Sequence, residues 1–552
     1  MNMSNLPSCW RDYYPRPQLK RESFFSLNGE WQLNGLPILV PYPPQSELSR
    51  FQGIVGDKLL YQKRFTLPEH FAPLGYRVLL HFGAVDQVAD VSLNGKHVSH
   101  HEGGYLPFSA DITEALVSGE NHLEVVALDT LSWDYPYGKQ CKKPHGMWYT
   151  PVSGIWQSVW LEAVPERCIQ SLKITPDLTG ITLEVETDAP EYTVTIPMGG
   201  SEFIHTFHQK KAHITFKKPH LWTPEDPYLY TLTIQTATDK VESYFALRTV
   251  EIKPVGGHDR ICLNGEPVFL HGLLDQGYFS DGIYLPAEPE EYDREAARLK
   301  DLGFNLLRKH IKVEPEAFYY ACDRQGMLVL QDMVNNGGYS WLFDTALPNI
   351  GLQRRPDRFP GNKRQRAIFE AHSIATQRHL YNHSCIIGYT IFNEGWGQFE
   401  ADRMYRVCKK EDPTRFYDAT SGWFAQTESD VDSRHVYFKN ELLHSDGRPL
   451  LLSECGGYIR CIAGHLYKED ANYGYGETDT EEALMEKIKL LYDEMVIPSI
   501  PNGLCGCIYT QVSDVEEEVN GLYTYDRAFC KVSRQGMLQL AECLHTAFKN
   551  SL

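Results

Sequence analysis

Over the first 254 residues, apolar and polar positions alternate in short runs, which is the pattern of half-buried β-strands. Residues 76–81 and 88–93 are such runs, and the second is followed by Asn94-Gly95, a dipeptide typical of tight hairpin turns. Many short strands separated by turn residues predict β-sandwiches. We therefore predict a jelly-roll domain over residues 1–165 and an immunoglobulin-like β-sandwich over residues 166–254.

The pattern changes near residue 255, where continuous apolar runs begin to alternate with amphipathic helical segments. Buried strands separated by helices are typical of a parallel sheet. Residues 255–552 are therefore predicted to form a (β/α)8 TIM barrel, a fold that typically needs about 250 residues. The predicted barrel strands are residues 267–270, 305–308, 327–331, 386–392, 416–419, 435–438, 450–453 and 506–510.

Composition is that of a globular protein, with 42% hydrophobic and 23% charged residues. The formal net charge of −19 disfavours contact with phosphate backbones, so we expect no nucleic-acid partner. No run reaches the roughly 18 apolar residues of a membrane span, and residues 1–16 lack the apolar core of a signal peptide. We therefore expect a cytoplasmic protein with no membrane partner. The thirteen scattered cysteines predict buried thiols, and the apolar run around Cys505 and Cys507 predicts a strand.

Polar side chains follow the predicted barrel strands, at the end where barrels of this kind carry their active sites. Glu394 follows the fourth predicted strand and Glu454 the seventh, 60 residues further on. Two facing carboxyl groups are what glycoside hydrolysis needs, since one protonates the leaving oxygen and the other attacks or assists at the anomeric carbon. The other polar residues at these strand ends are Asp275, Gln276, Arg308, His310, Asp332, Asn393, Asp418, His435, Tyr437, Gln511 and Asp514.

The separation of the two carboxyl groups would decide the stereochemistry of such a reaction. A distance of about 5–5.5 Å predicts retention through a covalent glycosyl-enzyme, and about 6.5–9.5 Å predicts inversion. Like charges that close also push the two pKa values apart, which separates an acid from a nucleophile. The residues alone leave both outcomes open, together with a barrel that binds carbohydrate without cleaving it.

Short motifs occur along nearly the whole chain in a fixed domain order. Asn393-Glu-Gly-Trp-Gly397 follows an apolar strand, and Phe25-Ser-Leu-Asn-Gly-Glu-Trp31 opens the first domain. Further motifs are residues 61–65, 91–96, 103–108 and 154–160. Together they resemble glycoside hydrolase family 2, which includes β-galactosidases, β-glucuronidases and β-mannosidases.

The resemblance implies roles for residues of the predicted site. Glu394 would be the general acid/base and Glu454 the nucleophile, and Asn393 would hydrogen-bond the sugar 2-hydroxyl. Tyr437 and Arg308 would contact the nucleophile and keep it ionised. Candidates for an aromatic platform under the sugar are Trp341, Trp396, Trp423 and Phe424. His310, Asp275, Asp332, His435, Gln511 and Asp514 complete the expected substrate-binding set, and we expect neither a cofactor nor a required metal.

The predicted glycone depends on departures from the family pattern. The β-glucuronidase subgroup carries an Asn-x-Lys pair that grips the substrate carboxylate, whereas the corresponding stretch here has three acids, residues 516–518. These acids would either form a solvated loop or repel an anionic uronide, unless Lys309, Lys312 or Arg527 approaches it. A neutral β-galactoside is therefore the first choice, with a glucuronide, a galacturonide or another glycone as alternatives. We expect a carbohydrate or glycoconjugate partner and leave a homo-oligomer open.

Overall fold

The computed structural model describes residues 9–349, 352 and 361–552. The first eight residues of the predicted jelly-roll domain lie outside the described residues. Sheet-rich domains come first and a parallel barrel follows, so the predicted fold class is confirmed. Across the described ranges, no helix is long and apolar enough to cross a membrane.

The first domain packs two antiparallel sheets face to face. Its elements are α1 (Cys9–Asp12), β1 (Phe24–Ser26), β2 (Gly29–Leu33), β3 (Leu36–Val40), β4 (Lys58–Thr66), β5 (Tyr76–Phe82), β6 (Val85–Asp86), β7 (Val88–Leu93), β8 (Lys96–Glu102), β9 (Phe108–Asp111), β10 (Glu120–Leu128), β11 (Gly154–Ile155) and β12 (Val159–Pro165). Among the described residues, one sheet has the order β1-β12-β5-β9 and the other β3-β2-β4-β10-β7-β8. Asn94 and Gly95 join β7 to β8 with φ of 51° and 80°, the left-handed backbone that a two-residue hairpin turn needs.

The second domain is a smaller sandwich. Its strands are β13 (Ile169–Pro176), β14 (Gly180–Thr187), β15 (Tyr192–Pro197), β16 (Glu202–Phe207), β17 (Lys211–Thr215), β18 (Tyr230–Gln235) and β19 (Lys240–Phe245). In the part of the chain that the structure describes, they form the sheets β13-β14-β17 and β16-β15-β18-β19. Alternate side chains such as Leu183, Val194 and Leu232 are buried between the sheets, as the alternating pattern predicts.

The barrel follows a small antiparallel sheet of β20 (Val250–Val255), β21 (His258–Leu263) and β22 (Glu266–Pro267). Its parallel strands are β23 (Leu270–Asp275), β24 (Leu306–Lys309), β25 (Leu328–Asp332), β26 (Ile386–Asn393), β27 (Phe416–Ser421), β28 (Asp432–Val436), β29 (Leu450–Gly456) and β30 (Leu504–Thr510). The helices are α2 (Glu291–Asp301), α3 (Glu316–Gln325), α4 (Leu347–Asn349), α5 (Lys363–Leu380), α6 (Ala401–Glu411), α7 (Glu481–Leu491), α8 (Ile497–Ser499) and α9 (Arg534–Asn550). Cys505 and Cys507 are buried in β30, so the predicted strand is confirmed.

Two predicted barrel strands were misplaced by several residues. The first was predicted at residues 267–270 and lies at β23, and the sixth was predicted at residues 435–438 and lies at β28. β28 begins with polar residues, which an apolar pattern does not mark as a strand. The hydroxyl of Ser433 donates to Asp418 at 2.7 Å and lies 2.7 Å from the hydroxyl of Ser453. A polar side chain can occupy a barrel strand when its neighbours satisfy it, and a hydropathy pattern does not show those neighbours.

The barrel is closed along most of its circumference by backbone hydrogen bonds. Among the described residues the ladder runs β27-β26-β25-β24-β23-β30-β29-β28, which leaves β27 and β28 without a shared backbone ladder. Side chains join this seam instead, since Ser433 of β28 bonds to Asp418 of β27 and Ser421 of β27 bonds to His435 of β28. The seam lies directly beneath the candidate site.

Candidate active site

Two carboxyl groups meet at the carboxyl-terminal mouth of the barrel. Glu454 lies within β29 and is 5% exposed, and Glu394 directly follows β26 with 17% of its side chain exposed. One oxygen of each carboxylate and one ring nitrogen of His435 all lie within 4.8 Å of one another. The fourth and seventh barrel strands thus bring together two residues that are distant in sequence.

Glu454 is surrounded by groups that favour its ionised form. Arg308 Nη1 donates to Oε1 at 3.0 Å, the hydroxyl of Tyr437 donates to Oε2, and His435 Nδ1 lies 3.5 Å from Oε2. Burial by itself would raise the pKa of Glu454. The electrostatic effects of His435, Arg308 and His310 and the Tyr437 hydrogen bond outweigh burial and lower the pKa to about 2. Glu454 is therefore a carboxylate across the ordinary pH range.

Arg308 orients three polar side chains at once. Its guanidinium is fully buried and donates to Glu454, to Asp332 Oδ1 at 3.0 Å and to Asn393 Oδ1 at 2.9 Å. Because a guanidinium is planar with fixed donor directions, these bonds set the angle of each partner. The amide oxygen of Asn393 is used by Arg308, which turns the amide nitrogen away from the guanidinium.

Glu394 stands on a left-handed backbone and is held by His435. Its φ is 51°, a conformation that costs a residue other than glycine some strain and that is often found at functional sites. His435 Nδ1 lies 2.9 Å from Glu394 Oε1, and His435 Nε2 faces Arg308 Nη1 at 3.4 Å and Ser421 Oγ at 2.8 Å. Since a guanidinium only donates, Nε2 is the acceptor and Nδ1–H donates to Glu394.

A chain of hydroxyl groups links His435 to a buried carboxyl group. Ser421 Oγ lies 2.9 Å from Ser453 Oγ, which lies 2.7 Å from Ser433 Oγ, and Ser433 donates to Asp418. Burial raises the pKa of Asp418 to about 6, although the nearby Arg308 charge opposes the shift. Asp418 could be predicted from its place at a strand end, but the serines could not, because serine is too common a residue type to stand out in a single sequence.

His310 and Asp332 form the next layer beneath Arg308. His310 Nδ1 lies 2.7 Å from Asp332 Oδ2, and burial lowers the pKa of His310 to about 4. The imidazole is therefore neutral near pH 7, so Nδ1–H donates to the Asp332 carboxylate. Asp332 thus bonds directly to the Arg308 guanidinium, and His310 bonds to Asp332.

Three other residues of the expected substrate-binding set contact other groups instead of the carboxylate pair. Asp275 forms an ion pair with Lys309, which also contacts Glu314 at 2.8 Å. Asp514 forms an ion pair with Lys531 and accepts from the amide of Gly521, and burial raises the pKa of its carboxyl group to about 6. Gln511 donates to Asn520 at 2.8 Å. Their substrate contacts remain predictions.

The expected aromatic platform divides into buried and exposed members. Trp396 is buried, and its ring contacts those of Tyr137, Trp148 and Tyr339 at centroid distances of 5.0–5.7 Å. Trp423 donates to the carbonyl of Asp344 at 2.9 Å and packs against His435. Phe424 is buried, whereas Trp341 is largely exposed. Trp396 therefore supports the wall of the site and presents little free surface to a sugar.

The acidic run at residues 516–518 binds the first domain. Glu516 accepts from the amide of Thr150 at 2.9 Å, Glu517 accepts from the amide of Gly146 at 3.0 Å, and Glu518 accepts from the hydroxyl of Tyr149. The expectation that this run is a plain solvated loop is wrong, because each carboxylate is a hydrogen-bond acceptor for the segment 146–150. The acids hold that segment over the mouth of the barrel.

Glu394, His435 and Glu454 also have the donor types of a metal site. Both oxygens of Glu454 are already hydrogen-bonded, by Arg308 and Tyr437, and Nδ1 of His435 faces Glu394. A cation would also have to lie beside the Arg308 guanidinium. We therefore assign no metal to these three side chains.

Comparison with known protein families agrees with this geometry. Residues 6–165 match the model described as glycosyl hydrolases family 2, sugar binding domain, and residues 169–248 match the model described as glycosyl hydrolases family 2. The chain belongs to glycoside hydrolase family 2. Its two sheet-rich domains are those the family models describe, and the paired carboxyl groups lie on the barrel that follows them.

Relatives of this family 2 chain include two named activities. A β-galactosidase of Leuconostoc mesenteroides is 25% identical over 508 residues, which is 82% of this chain and 46% of that protein. A putative β-glucuronidase of Formosa agariphila is 29% identical over 281 residues, 46% of this chain and 32% of that protein. The chain spans about half or less of the length of these relatives.

A solved structure shares the fold of this family 2 chain over nearly its full length. The β-D-glucuronidase of Dictyoglomus thermophilum superposes with a TM-score of 0.75 at 19% identity, over 96% of this chain and 98% of that one. At this level of identity the likeness concerns the fold. The glycone therefore has to be argued from the residues of the site.

Proposed function

We propose that this family 2 protein is a retaining exo-β-glycosidase acting on terminal β-linked sugars of a carbohydrate or glycoconjugate. The observation that carries the proposal is the pair of carboxyl groups with different surroundings. Glu454 is buried against Arg308 and Tyr437, whereas Glu394 is partly exposed and is held by His435. One carboxylate is thus kept ionised for attack, and the other can reach a leaving group.

In the proposed first step, a carboxylate oxygen of Glu454 attacks the anomeric carbon. The bond from that carbon to the leaving oxygen breaks, and this oxygen takes a proton from Glu394. In the second step Glu394 removes a proton from water, the water oxygen bonds to the anomeric carbon, and Glu454 leaves as a carboxylate. Asn393 is held by Arg308 where its amide can bind the sugar 2-hydroxyl, a contact that strengthens in the transition state.

Retention is favoured over inversion by the spacing of the pair. One oxygen of each carboxylate lies within 4.8 Å of the other. Retaining enzymes have about 5–5.5 Å between the two groups, whereas inverting enzymes need about 6.5–9.5 Å to admit a water. The close approach of those oxygens matches the shorter, retaining spacing and favours direct attack by Glu454.

For the glycone, a neutral β-galactoside remains the first candidate. Lys309 and Lys312 both contact Glu314, at 2.8 and 2.9 Å, and Arg527 contacts Glu295 at 3.1 Å. The three cations that were candidates for a uronide grip are therefore engaged in ion pairs. Releasing Lys309 or Arg527 would take the ion-pair partner from the buried carboxylate of Asp275 or Glu295, which is costly.

One observation favours a second candidate, a β-glycuronidase. Lys139 of the first domain lies near His310. Burial has the largest effect in lowering the pKa of that imidazole, and the charge of Lys139 also lowers it. Its ammonium lies 5.9 Å from the ring centre of Tyr149, and within the described residues it has neither an ion-pair partner nor a hydrogen bond. A cation without a partner at the mouth of the site could bind the carboxylate of a uronide.

A hydrolysis screen with matched nitrophenyl glycosides tests both candidates. The substrates are the β-galactoside, β-glucuronide, β-galacturonide, β-mannoside, β-glucoside and α-L-arabinopyranoside, with Glu454→Gln as the inactive control. Turnover of a neutral glycoside alone supports the first candidate. Turnover of a uronide, with kcat/KM lowered about 100-fold in Lys139→Gln and unchanged in the exposed control Lys96→Gln, supports the second. No turnover of any glycoside would contradict the proposed function and favour a barrel that only binds carbohydrate.

A further inference from the structure

A cavity of about 670 Å³ lies between a segment of the first domain and a loop of the barrel. The segment comprises residues 131–150 and follows β10 in the chain. The barrel loop follows β25. The cavity is lined mainly by large apolar side chains, namely Leu131, Trp133, Tyr137, Trp148, Tyr339 and Trp341.

Two tryptophans of this cavity are exposed to solvent. Trp133 is 55% exposed and Trp341 is 66% exposed. Exposed aromatic side chains grouped around a concavity are typical of a binding site, because they offer a large apolar contact area that loses little entropy on binding. The ring of Trp148 is already packed edge to face against Tyr339, at a centroid distance of 5.0 Å. Ring packing thus fixes one wall, and within the described ranges neither exposed tryptophan has a ring contact.

Hydrogen bonds between the domains hold both walls in place. The amide of Gly337 donates to the carbonyl of Trp133 at 2.8 Å, and the hydroxyl of Tyr137 donates to the carbonyl of Gly337 at 2.7 Å. At the other end of the segment, Thr150 and Gly146 donate to the acidic run at residues 516–518. A site built this way is preorganised, so little binding energy is lost to ordering it.

The cavity lies on the Glu394 side of the carboxylate pair. Trp396 is two residues after Glu394, and its ring contacts Trp148 and Tyr339 at 5.0 and 5.7 Å. The charge of Glu394 also acts on the Tyr339 hydroxyl, whose pKa is raised mainly by burial. The acid of a retaining glycosidase faces the leaving oxygen. A leaving group protonated by Glu394 would lie on the side of the site that faces this cavity, where Trp148 and Tyr339 form the nearer wall.

The chemistry of the lining favours an aromatic group over a second sugar. A sugar needs hydrogen-bond partners for its hydroxyls, but the hydroxyl of Tyr137 is bound to Gly337 and that of Tyr339 to Thr345. The polar lining side chains also have partners: Gln140 donates to Asp86 and Tyr105, His145 Nδ1 lies 2.8 Å from the carbonyl of Lys143, and Lys142 lies 3.8 Å from Asp57. A flat apolar group can stack on the free tryptophan faces without leaving polar groups unpaired.

We propose that this cavity is the aglycone subsite and that it binds planar aromatic aglycones. The inference rests on the proposed glycosidase function and adds the class of leaving group. The first domain then takes part in substrate selection, since Trp133 and Trp148 belong to it. Substrates with an aromatic aglycone gain transition-state binding here, and those with a small alkyl aglycone do not.

The test compares a 2-naphthyl and a methyl glycoside of the glycone found in the hydrolysis screen. In Trp133→Ala we expect kcat/KM for the naphthyl glycoside to fall at least 10-fold and that for the methyl glycoside to stay within twofold. Because each variant is compared with the parent on the same substrate, leaving-group acidity cancels. Ile204→Ala, a 62% exposed apolar residue of the second domain, is the matched control and leaves both values unchanged. A parallel fall on both glycosides, or no fall, would overturn the inference.

A binding measurement separates failure of this inference from failure of the proposed function. Free 2-naphthol is titrated into Glu454→Gln, with tryptophan fluorescence as the readout. Saturable binding that weakens at least 10-fold in the Trp133→Ala background supports the subsite, even if no glycoside is cleaved. Turnover of glycosides without saturable naphthol binding would overturn the subsite and leave the glycosidase proposal standing.

Discussion

At the residue scale, the account depends on how Glu454 is kept ionised. Arg308 donates to one of its oxygens and Tyr437 to the other. The pKa of Glu454 is about 2, although burial by itself would raise it. The positions of Glu394 and Glu454 could be predicted because a carboxylate after an apolar run is visible in a sequence. The hydroxyl chain and Lys139 could not, since their contacts cross strands and domains.

Tyr437→Phe should move the acidic limb of the pH profile. Removing one hydrogen bond to the carboxylate raises the pKa of Glu454, so a higher pH is needed to ionise it. We expect the acidic limb of kcat/KM to shift upward by about one pH unit and kcat to fall. Tyr475→Phe is the control. Its ring stacks on that of Tyr437 at a centroid distance of 4.4 Å, so each variant removes one hydroxyl from the same pair of rings. An unchanged acidic limb in Tyr437→Phe would show that the hydroxyl does not set this pKa.

At the element scale, the barrel seam shows what a hydropathy pattern can predict. β26 was predicted at residues 386–392 and lies at Ile386–Asn393, because it is buried on all sides and reads as one apolar run. β28 was displaced, because polar side chains that face β27 and β29 carry its contacts. Strands with apolar contacts can be located from sequence, and strands held by buried hydrogen bonds are harder to locate.

Ser433→Ala should weaken the seam. The change removes the hydroxyl that bonds to Asp418 and Ser453 and leaves a buried carboxylate oxygen of Asp418 without that partner. Loss of a buried hydrogen bond of this kind costs about 1–3 kcal/mol. We expect a lower thermal midpoint of the barrel, followed by circular dichroism. Ser201→Ala, at an exposed turn of the second domain, should leave the midpoint unchanged, and equal midpoints for both variants would contradict the account.

At the scale of the whole molecule, buried ion pairs join the domains. Glu162 of β12 contacts Arg16 at 2.7 Å and Arg21 at 3.0 Å, and Arg21 contacts Asp239 of the second domain at 2.9 Å. Tyr244 of the second domain donates to Asp323 of α3 at 2.7 Å, which connects that domain to the barrel. The domain order could be predicted from motifs, but these contacts could not, since they join residues far apart in sequence.

Glu162→Gln should destabilise the molecule and change its response to acid. Burial would raise the pKa of Glu162, but the charges of Arg16, His81 and Arg21 lower it below the value of an exposed glutamate. A depressed pKa contributes stability above the unfolded-state pKa, and that stability is lost as pH falls through the folded pKa.

We expect Glu162→Gln to lose about 3–5 kcal/mol at pH 7, with a smaller difference from the parent as pH falls below about 4.5. The measurement is thermal unfolding between pH 3 and pH 8. Glu120→Gln, at an exposed position of the same domain, is the control and should match the parent. A difference between Glu162→Gln and the parent that does not depend on pH would contradict the electrostatic explanation.

The central claim is that Glu454 forms a covalent bond to the sugar. The most direct measurement is to incubate the protein with a 2-deoxy-2-fluoro glycosyl fluoride of the preferred glycone, which slows release of the intermediate, and to locate the label by mass spectrometry. The account predicts one added glycosyl group on the peptide that contains Glu454, and none in Glu454→Gln. A label on another residue, or hydrolysis that gives the inverted anomer, would contradict it.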